Sequence, residues 1–222
     1  MRHLWTVICI VWSIWALGPG TGIAQEIVEP STKTRFPTTR PFLDGAALGP
    51  ALDCVGTAVR KKFIFKVYGM CLYVDIPVLH QRVGDTADPE TIAQALIRGG
   101  VAHAFVLHFV RNVDARKIVD AFREGLQKNW PDGAFDPDQP GVRQFLAATN
   151  FDIRDGQEIQ IWIDAQSRVH IRFADRPVVT IDDPTLQRAI TGIWLGARPV
   201  HKKMKASLLR DLPGRLRAAS AP

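Results

Sequence analysis

The stretch "LDCVGTAVRKKFIFKVYGMCLYVD", residues 52–75, decides the fold of this chain. Both of its ends are rich in Val, Ile, Phe and Tyr, which favour β-strands. We predict strands at about 51–59 and 64–75, joined through the segment "RKKF". Arg60 and two lysines therefore stand where an otherwise apolar hairpin turns.

The start of the chain has the pattern of a secretory signal peptide. Residues 1–24 hold a positive start, an apolar run over 4–17 and small residues before the end. The apolar run is shorter than the ~20 residues that a membrane-spanning helix needs. We expect cleavage near Ala24 and a periplasmic or secreted domain, with a retained signal anchor as the alternative.

The charge balance is mildly basic, with a formal net charge of +6 over 222 residues. Such a charge suits loose attraction to anionic lipid or an acidic ligand. Nucleic-acid binding requires basic residues concentrated on one face, which this sequence lacks. We predict no nucleic-acid partner.

Cysteines and histidines give no metal-binding pattern. Without the signal peptide, Cys54 and Cys71 remain, enough for one disulfide in an oxidising compartment. His103 and His108 lie five residues apart on a predicted strand, so they point to opposite faces. No phosphate-binding loop, GxSxG or HExxH motif is present. We predict no metal and no cofactor.

The chain divides into an arm and one domain. Residues 25–45 carry three prolines and several Ser and Thr residues, which predicts an extended arm, and the domain spans 46–218. Within the domain, Asp88 begins a short predicted helix, a buried strand covers 101–113, and Asp114 begins a longer helix.

The second half of the domain predicts three more strands and two terminal helices. Residues 158–181 alternate apolar and polar side chains around two turn segments, as in an antiparallel meander. Helical patterns follow at 183–196 and 199–216. Strands and helices are grouped, so we predict an α+β fold, an antiparallel sheet with helices on one side.

Three segments resemble the chalcone isomerase-like family. They are "VGTAVRKKFIFKVYGMCLYVD" (55–75), "LHFVRNVDARKIVDAFREGL" (107–126) and "ITGIWLGARPVHKKMKASLL" (190–209). They occur in the family's order, and the resemblance covers about 42–212. It implies an open-faced β-sandwich, an antiparallel sheet covered by a layer of helices, with a ligand cleft between the layers.

The resemblance implies two functional branches. Plant enzymes of the family close a chalcone into a flavanone, which places negative charge on a carbonyl oxygen and requires cationic and hydroxyl donors around it. Arg60 matches the arginine that ends the first hairpin strand in these enzymes. Their threonine on the second strand falls at about Tyr68 here.

The other catalytic positions of the enzymes transfer poorly. The tyrosine that holds an active-site water aligns near Asp114, and a following asparagine aligns near Ala121. The hydroxyl residue of the penultimate helix falls near Ile193, with Thr191 two positions earlier. This pattern argues against efficient chalcone closure and leaves Arg60 as the one catalytic residue if the chain is an enzyme.

The fatty-acid-binding branch of the family resembles this sequence better. It uses an arginine and a tyrosine of this hairpin to hold a carboxylate, as Arg60 and Tyr68 could do. We predict a small apolar anionic ligand such as a fatty acid, with Tyr73, Thr191 and Trp194 also in contact. An isomerase or lyase of phenolic enones and a periplasmic adaptor without ligand remain the alternatives.

Structural interpretations of the same residues stay open. Positive side chains at a hairpin turn are usually solvated and protect strand ends. The tyrosines and Trp194 equally suit the core. The basic segment 198–217 predicts a weak membrane-surface contact through a C-terminal helix, or simply a solvated face interrupted by Pro213.

The strand register distinguishes two hairpins. A hairpin symmetric about its tip places Cys54 opposite Cys71, and then Arg60 shares a face with Tyr73. A bulge or a changed loop instead places Arg60 beside Tyr68 and separates the cysteines. We expect Arg60 with Tyr68, and free, buried cysteines.

Overall fold

The structure, a computed structural model, describes residues 25–45 and 50–219. The predicted signal peptide over residues 1–24 lies outside the described residues. Within the described ranges, no helix combines the length and the apolar character that crossing a membrane requires.

Among the described residues, seven antiparallel strands form the main sheet, and each pairs with the strand next to it in the chain. They are β3 Thr39–Pro41, β4 Ala51–Lys62, β5 Phe65–Val74, β6 His103–Phe109, β7 Glu158–Ile163, β8 Val169–Phe173 and β9 Val179–Ile181. The long β4–β5 hairpin and the predicted three-strand meander, here β7 to β9, are confirmed. The class is α+β, as predicted.

Within residues 25–45 and 50–219, seven α-helices accompany the sheet. They are α1 Ile76–Val83, α2 Pro89–Arg98, α3 Ala115–Asn129, α4 Pro140–Ala148, α5 Pro184–Leu195, α6 Lys202–Leu209 and α7 Leu212–Ala219. The sequence prediction lacked α1, although its start is marked by Asp75, whose carboxylate accepts from the backbone N–H of Val78 at 3.1 Å. The last predicted segment is two helices, because Pro213 fits only the first turn of a helix.

The main core lies between the sheet and the helices. Alternate residues of β5 and β6 face the helices, as the two-residue period of a strand requires. They share one core with apolar residues of α2, α3 and α5. The strand residues of this face include Tyr68, Met70, Leu72, Phe105 and Phe109.

The arm is more structured than predicted. Residues 25–45 form a small hairpin, β1 Glu26–Val28 with β2 Arg35–Pro37, and then add β3 to the edge of the main sheet. Phe36 and Phe42 are buried against Trp162 on the outer face, the face turned away from the main helix layer. The arm folds back because this outer face carries apolar residues that water would otherwise contact.

The two cysteines form a disulfide, so the expectation of free cysteines is wrong. A bulge between Cys54 and Gly56 shifts the register of the hairpin by one residue. Cys54 then lies diagonal to Cys71 on the outer face, with a Cα–Cα distance of 6.1 Å. That separation lies within the range that disulfides adopt.

Removing the disulfide should destabilise the fold. The bond closes a loop with a sequence separation of 17, and loss of such a constraint on the unfolded chain costs about 3 kcal/mol. Urea unfolding of the Cys54→Ala, Cys71→Ala variant should show this loss. Added reductant should lower the stability of the wild type alone, and equal stability with and without reductant would contradict the disulfide.

Candidate functional site

Arg60 and Tyr68 meet on the helix-facing side of the β4–β5 hairpin. They are directly paired across the two strands, which confirms the predicted register. The Tyr68 ring lies 5.4 Å from that of Phe109 on β6. Its hydroxyl oxygen accepts a hydrogen bond from the indole N–H of Trp194 on α5 at 3.3 Å. Strands β4 to β6 and helix α5 thus position one cluster.

Arg60 is a half-buried cation without a carboxylate partner. Its guanidinium donates to the backbone carbonyl of Lys61 at 2.8 Å. In the part of the chain that the structure describes, it forms no salt bridge. Glu124 on α3 is held by Lys128, whose hydrogen bond is the main reason that its pKa lies below the usual range, and the charge of Arg60 contributes less. Most donors of Arg60 remain available.

Tyr68 is a buried phenol with an unused proton. Burial raises its pKa, although the hydrogen bond from Trp194 and the charge of Arg60 act against that rise. The hydroxyl therefore stays protonated at neutral pH. It accepts from Trp194, while no described residue accepts its own proton. One O–H donor beside Arg60 is free for a further partner.

Trp194 closes the space behind Tyr68. It is 1% exposed, and its ring lies 4.5 Å from Phe105 and 6.5 Å from Phe122. Aromatic rings thus fill the layer between the sheet and the helices at this point. Trp194 contacts the predicted site through its N–H, and the rest of its ring belongs to the core.

Thr191 lies one turn earlier on α5 and takes part in an internal hydrogen-bond chain. The amide of Gln187 donates to its hydroxyl oxygen at 3.1 Å, and the hydroxyl lies 3.1 Å from His103 Nε2. His103 Nδ1 lies 2.8 Å from the carbonyl of Val101. A neutral imidazole with its proton on Nδ1 satisfies both contacts. The hydroxyl of Thr191 is therefore occupied within the core.

Tyr73 lies on the outer face and does not join Arg60. Its hydroxyl donates to the carbonyl of Pro37 at 2.9 Å, and the Arg40 guanidinium lies 5.6 Å from its ring. Burial raises the pKa of Tyr73 to about 12. Tyr73 thus anchors the arm, and the predicted ligand contacts divide between the two faces of the sheet.

The outer face also carries an open depression of about 800 Å³. Glu158, on its rim, pairs with Arg40 at 3.2 Å and with His108 at 3.6 Å. Burial alone would raise the pKa of Glu158, but His108 and Arg40 lower it to about 2. The depression lies on the opposite face of the sheet from Arg60 and Tyr68, and the Glu158 carboxylate on its rim is already paired with Arg40 and His108.

No metal centre is evident in the described ranges, where no group of three or more His, Cys, Asp or Glu side chains could hold an ion. His103 and His108 point to opposite faces, as predicted, since one contacts α5 and the other contacts Glu158 on the outer face.

A family model described as chalcone isomerase-like matches residues 46–210. The chain belongs to the chalcone isomerase-like family. Among solved structures, this chalcone isomerase-like domain is similar to a fatty-acid-binding protein of Arabidopsis thaliana, with a TM-score of 0.72 and 19% identity. The match covers 87% of this chain and 100% of the plant protein, and it shows the shared fold. A comparison with curated proteins found no significant match.

Sequence reasoning missed two features of the domain. The hydrogen-bond chain from Gln187 through Thr191 to His103 joins residues far apart in sequence, and no local sequence pattern predicts it. The hairpin tip, by contrast, has a signal in the sequence. Phe63, Ile64 and Phe65 are three large apolar residues between lysines, which is unusual in a turn. The prediction placed Phe63 in the connection and Ile64 and Phe65 at the start of the second strand, and it gave their side chains no role.

Stability should depend on pH through His103. Burial lowers the pKa of His103 to about 4, whereas the same group in the unfolded chain titrates near 6.5. Between these values the unfolded chain binds the extra proton, so the free energy of unfolding falls as the pH falls, by about 3 kcal/mol at most. Urea titrations from pH 7 to 4 measure this dependence.

The variant His103→Gln should reduce that pH dependence, whatever its absolute stability. The control His201→Asn removes an exposed histidine and keeps a side chain that can cap α6. Its pH profile should follow that of the wild type. If the stability of His103→Gln depended on pH as that of the wild type does, His103 would not be the source of this pH dependence.

Proposed function

We propose that this domain binds a small apolar anion, a fatty acid or a similar lipid, with its carboxylate held by Arg60 and Tyr68. The observation that carries the proposal is the pairing of two unused donors. Arg60 has no carboxylate partner among the described residues, and the Tyr68 hydroxyl has a free proton beside it. A ligand carboxylate would accept hydrogen bonds from both Arg60 and Tyr68.

The chemistry of the two groups suits a carboxylate. A guanidinium offers parallel N–H donors that match the two oxygens of a carboxylate, and it stays charged at all relevant pH values. A neutral phenol adds a third donor. Because the pair is only partly solvated, these charge-assisted bonds are stronger than they would be at the surface.

An acyl chain would extend from this point toward the helix layer. Each CH₂ group moved out of water contributes about 0.8 kcal/mol. The space is closed by Trp194 and by Ile118 and Phe122 of α3. Entry of a chain would therefore require the side chains of α3 and α5 to move apart at this point.

The family and the fold support the proposal without specifying the ligand. The plant protein of similar fold is a fatty-acid-binding protein, and we extend that function to this chain as part of the proposal. Export to the periplasm is also part of it, supported by the signal-peptide pattern of residues 1–24.

One observation favours a second candidate, an adaptor that binds no ligand. Aromatic rings already fill the space behind Tyr68, as a purely structural core would. Chalcone closure has less support, because Thr191 is bonded to His103 and Asp114 is bonded to Lys117. Of the catalytic positions compared, Arg60 and Tyr68 are paired with each other across the hairpin.

Native mass spectrometry of protein exported to a periplasm tests the proposal. The wild type, after delipidation, should take up one palmitate. The Arg60→Ala variant should bind at least about tenfold more weakly, because a hydrogen bond to a charged group contributes ~1.5–3 kcal/mol. Tyr68→Phe should also weaken binding, by about tenfold on the same basis.

The matched control is Arg116→Ala, which removes an arginine that is 93% exposed on α3. It should bind palmitate like the wild type. A wild type that stays bare at saturating palmitate would favour the adaptor. Chalcone closure above the buffer rate, lost in Arg60→Ala, would favour the enzyme.

A further inference from the structure

The hairpin tip, residues 61–66, exposes an unusual amount of apolar surface. Phe63, Ile64 and Phe65 are 88%, 85% and 55% exposed. The other large apolar side chain exposed in the described ranges is Val28, at 43%. Three consecutive side chains of this kind, at the projecting end of a hairpin, indicate a surface that meets an apolar partner.

The backbone of the tip does not favour these residues. Lys62 pairs with Phe65, which leaves a two-residue turn of Phe63 and Ile64. Phe63 has φ 56°, a left-handed conformation in which Gly or Asn is normally found. Turn geometry therefore does not explain an aromatic residue at this position, whereas a contact made by its side chain would.

Cations surround the apolar residues. Lys61, Lys62 and Lys66 are exposed within the tip. Arg111, just beyond β6, places its guanidinium 5.0 Å from the ring of Phe65. None of these four forms a salt bridge with another described residue, although Lys66 donates to the carbonyl of Ser31. Lys62 contributes a little to the lowered pKa of Glu124, whose carboxylate is already paired with Lys128.

We propose that the hairpin tip docks this domain onto an anionic lipid bilayer. Phe63 and Ile64 enter the boundary between head groups and acyl chains, and the three lysines and Arg111 contact lipid phosphates. Apolar residues flanked by cations with long aliphatic stems suit this boundary, because the stems stay in apolar surroundings while the charges reach the head groups. Charge complementarity selects anionic over neutral lipid.

The C-terminal basic segment offers a weaker surface. Lys202 and Lys203 of α6 are exposed, but Met204, Leu208 and Leu209 are buried in the core. This helix therefore presents charge without apolar side chains that could insert. It supplies a charge-matched control for the hairpin tip.

Vesicle co-sedimentation of the full exported protein tests the proposal independently of any bound ligand. The wild type should bind vesicles containing about one-third phosphatidylglycerol and leave pure phosphatidylcholine vesicles largely unbound. The tip variant with Phe63→Ser, Ile64→Ser and Phe65→Ser should lose about tenfold or more in partitioning. Lys61→Gln, Lys62→Gln and Lys66→Gln together should remove the preference for anionic lipid.

The control carries Lys202→Gln, Lys203→Gln and Arg210→Gln, the same change in charge on and after α6. It should bind like the wild type. Loss of binding in this control with retention in the tip variants would overturn the proposal in favour of the C-terminal helix. Equal binding by all proteins, or none by the wild type, would overturn it outright.

Three further measurements separate insertion from unfolding and from self-association. In Phe63→Trp, brominated acyl chains should quench the new tryptophan, and absence of quenching would contradict insertion. The Ser variant should keep the thermal midpoint of the wild type, since the tip is exposed. Sedimentation without vesicles tests self-association. If the wild type formed a dimer that the Ser variant lacks, the tip would contact a second copy of the chain, and the proposal would be overturned.

Discussion

Two register shifts, one between Cys54 and Gly56 and one between Arg60 and Lys61, determine what each face of the β4–β5 hairpin can do. The shift between Arg60 and Lys61 pairs Arg60 with Tyr68 on the inner face, and the shift between Cys54 and Gly56 places Cys54 on the outer face within reach of Cys71. A regular hairpin allows only one of these arrangements. Gly56 also permits the bulge to lie under α6, since a Cβ there would be 2.3 Å from the carbonyl oxygen of Leu208. The outer face is thereby cross-linked, and the inner face keeps its polar pair.

The fold was largely predictable because its signals are local. Two-residue alternation marks β7 to β9, and Asp88 followed by proline marks the start of α2. The free cysteines were a wrong prediction because alternation alone does not reveal a bulge, and "CVG" looks like an ordinary strand. The arm was harder for the same reason. Its prolines indicate an extended chain, while its folding back depends on the apolar outer face of a sheet that starts later in the sequence.

The candidate site was predictable only in part. Family resemblance indicated Arg60 and Tyr68, and strand register then brought them together. Thr191 and Trp194 lie one turn apart on α5, yet the hydroxyl of Thr191 is hydrogen-bonded to His103, 88 residues away in sequence. Tyr73 lies on the opposite face because it is an odd number of positions from Tyr68. Which donors remain free is set by long-range contacts, and these follow from the packing of α5 on β6 and not from any motif.

The two edges of the main sheet have a consequence for behaviour at high concentration. The edge strands β3 and β9 have three residues each, and β3 ends in Pro41, which lacks an N–H to donate. A further strand from another molecule would find few backbone groups to pair with, so edge-to-edge growth toward aggregates is disfavoured. The exposed apolar tip therefore belongs to a domain whose sheet edges are short, and these edges offer little template for extension by a second molecule.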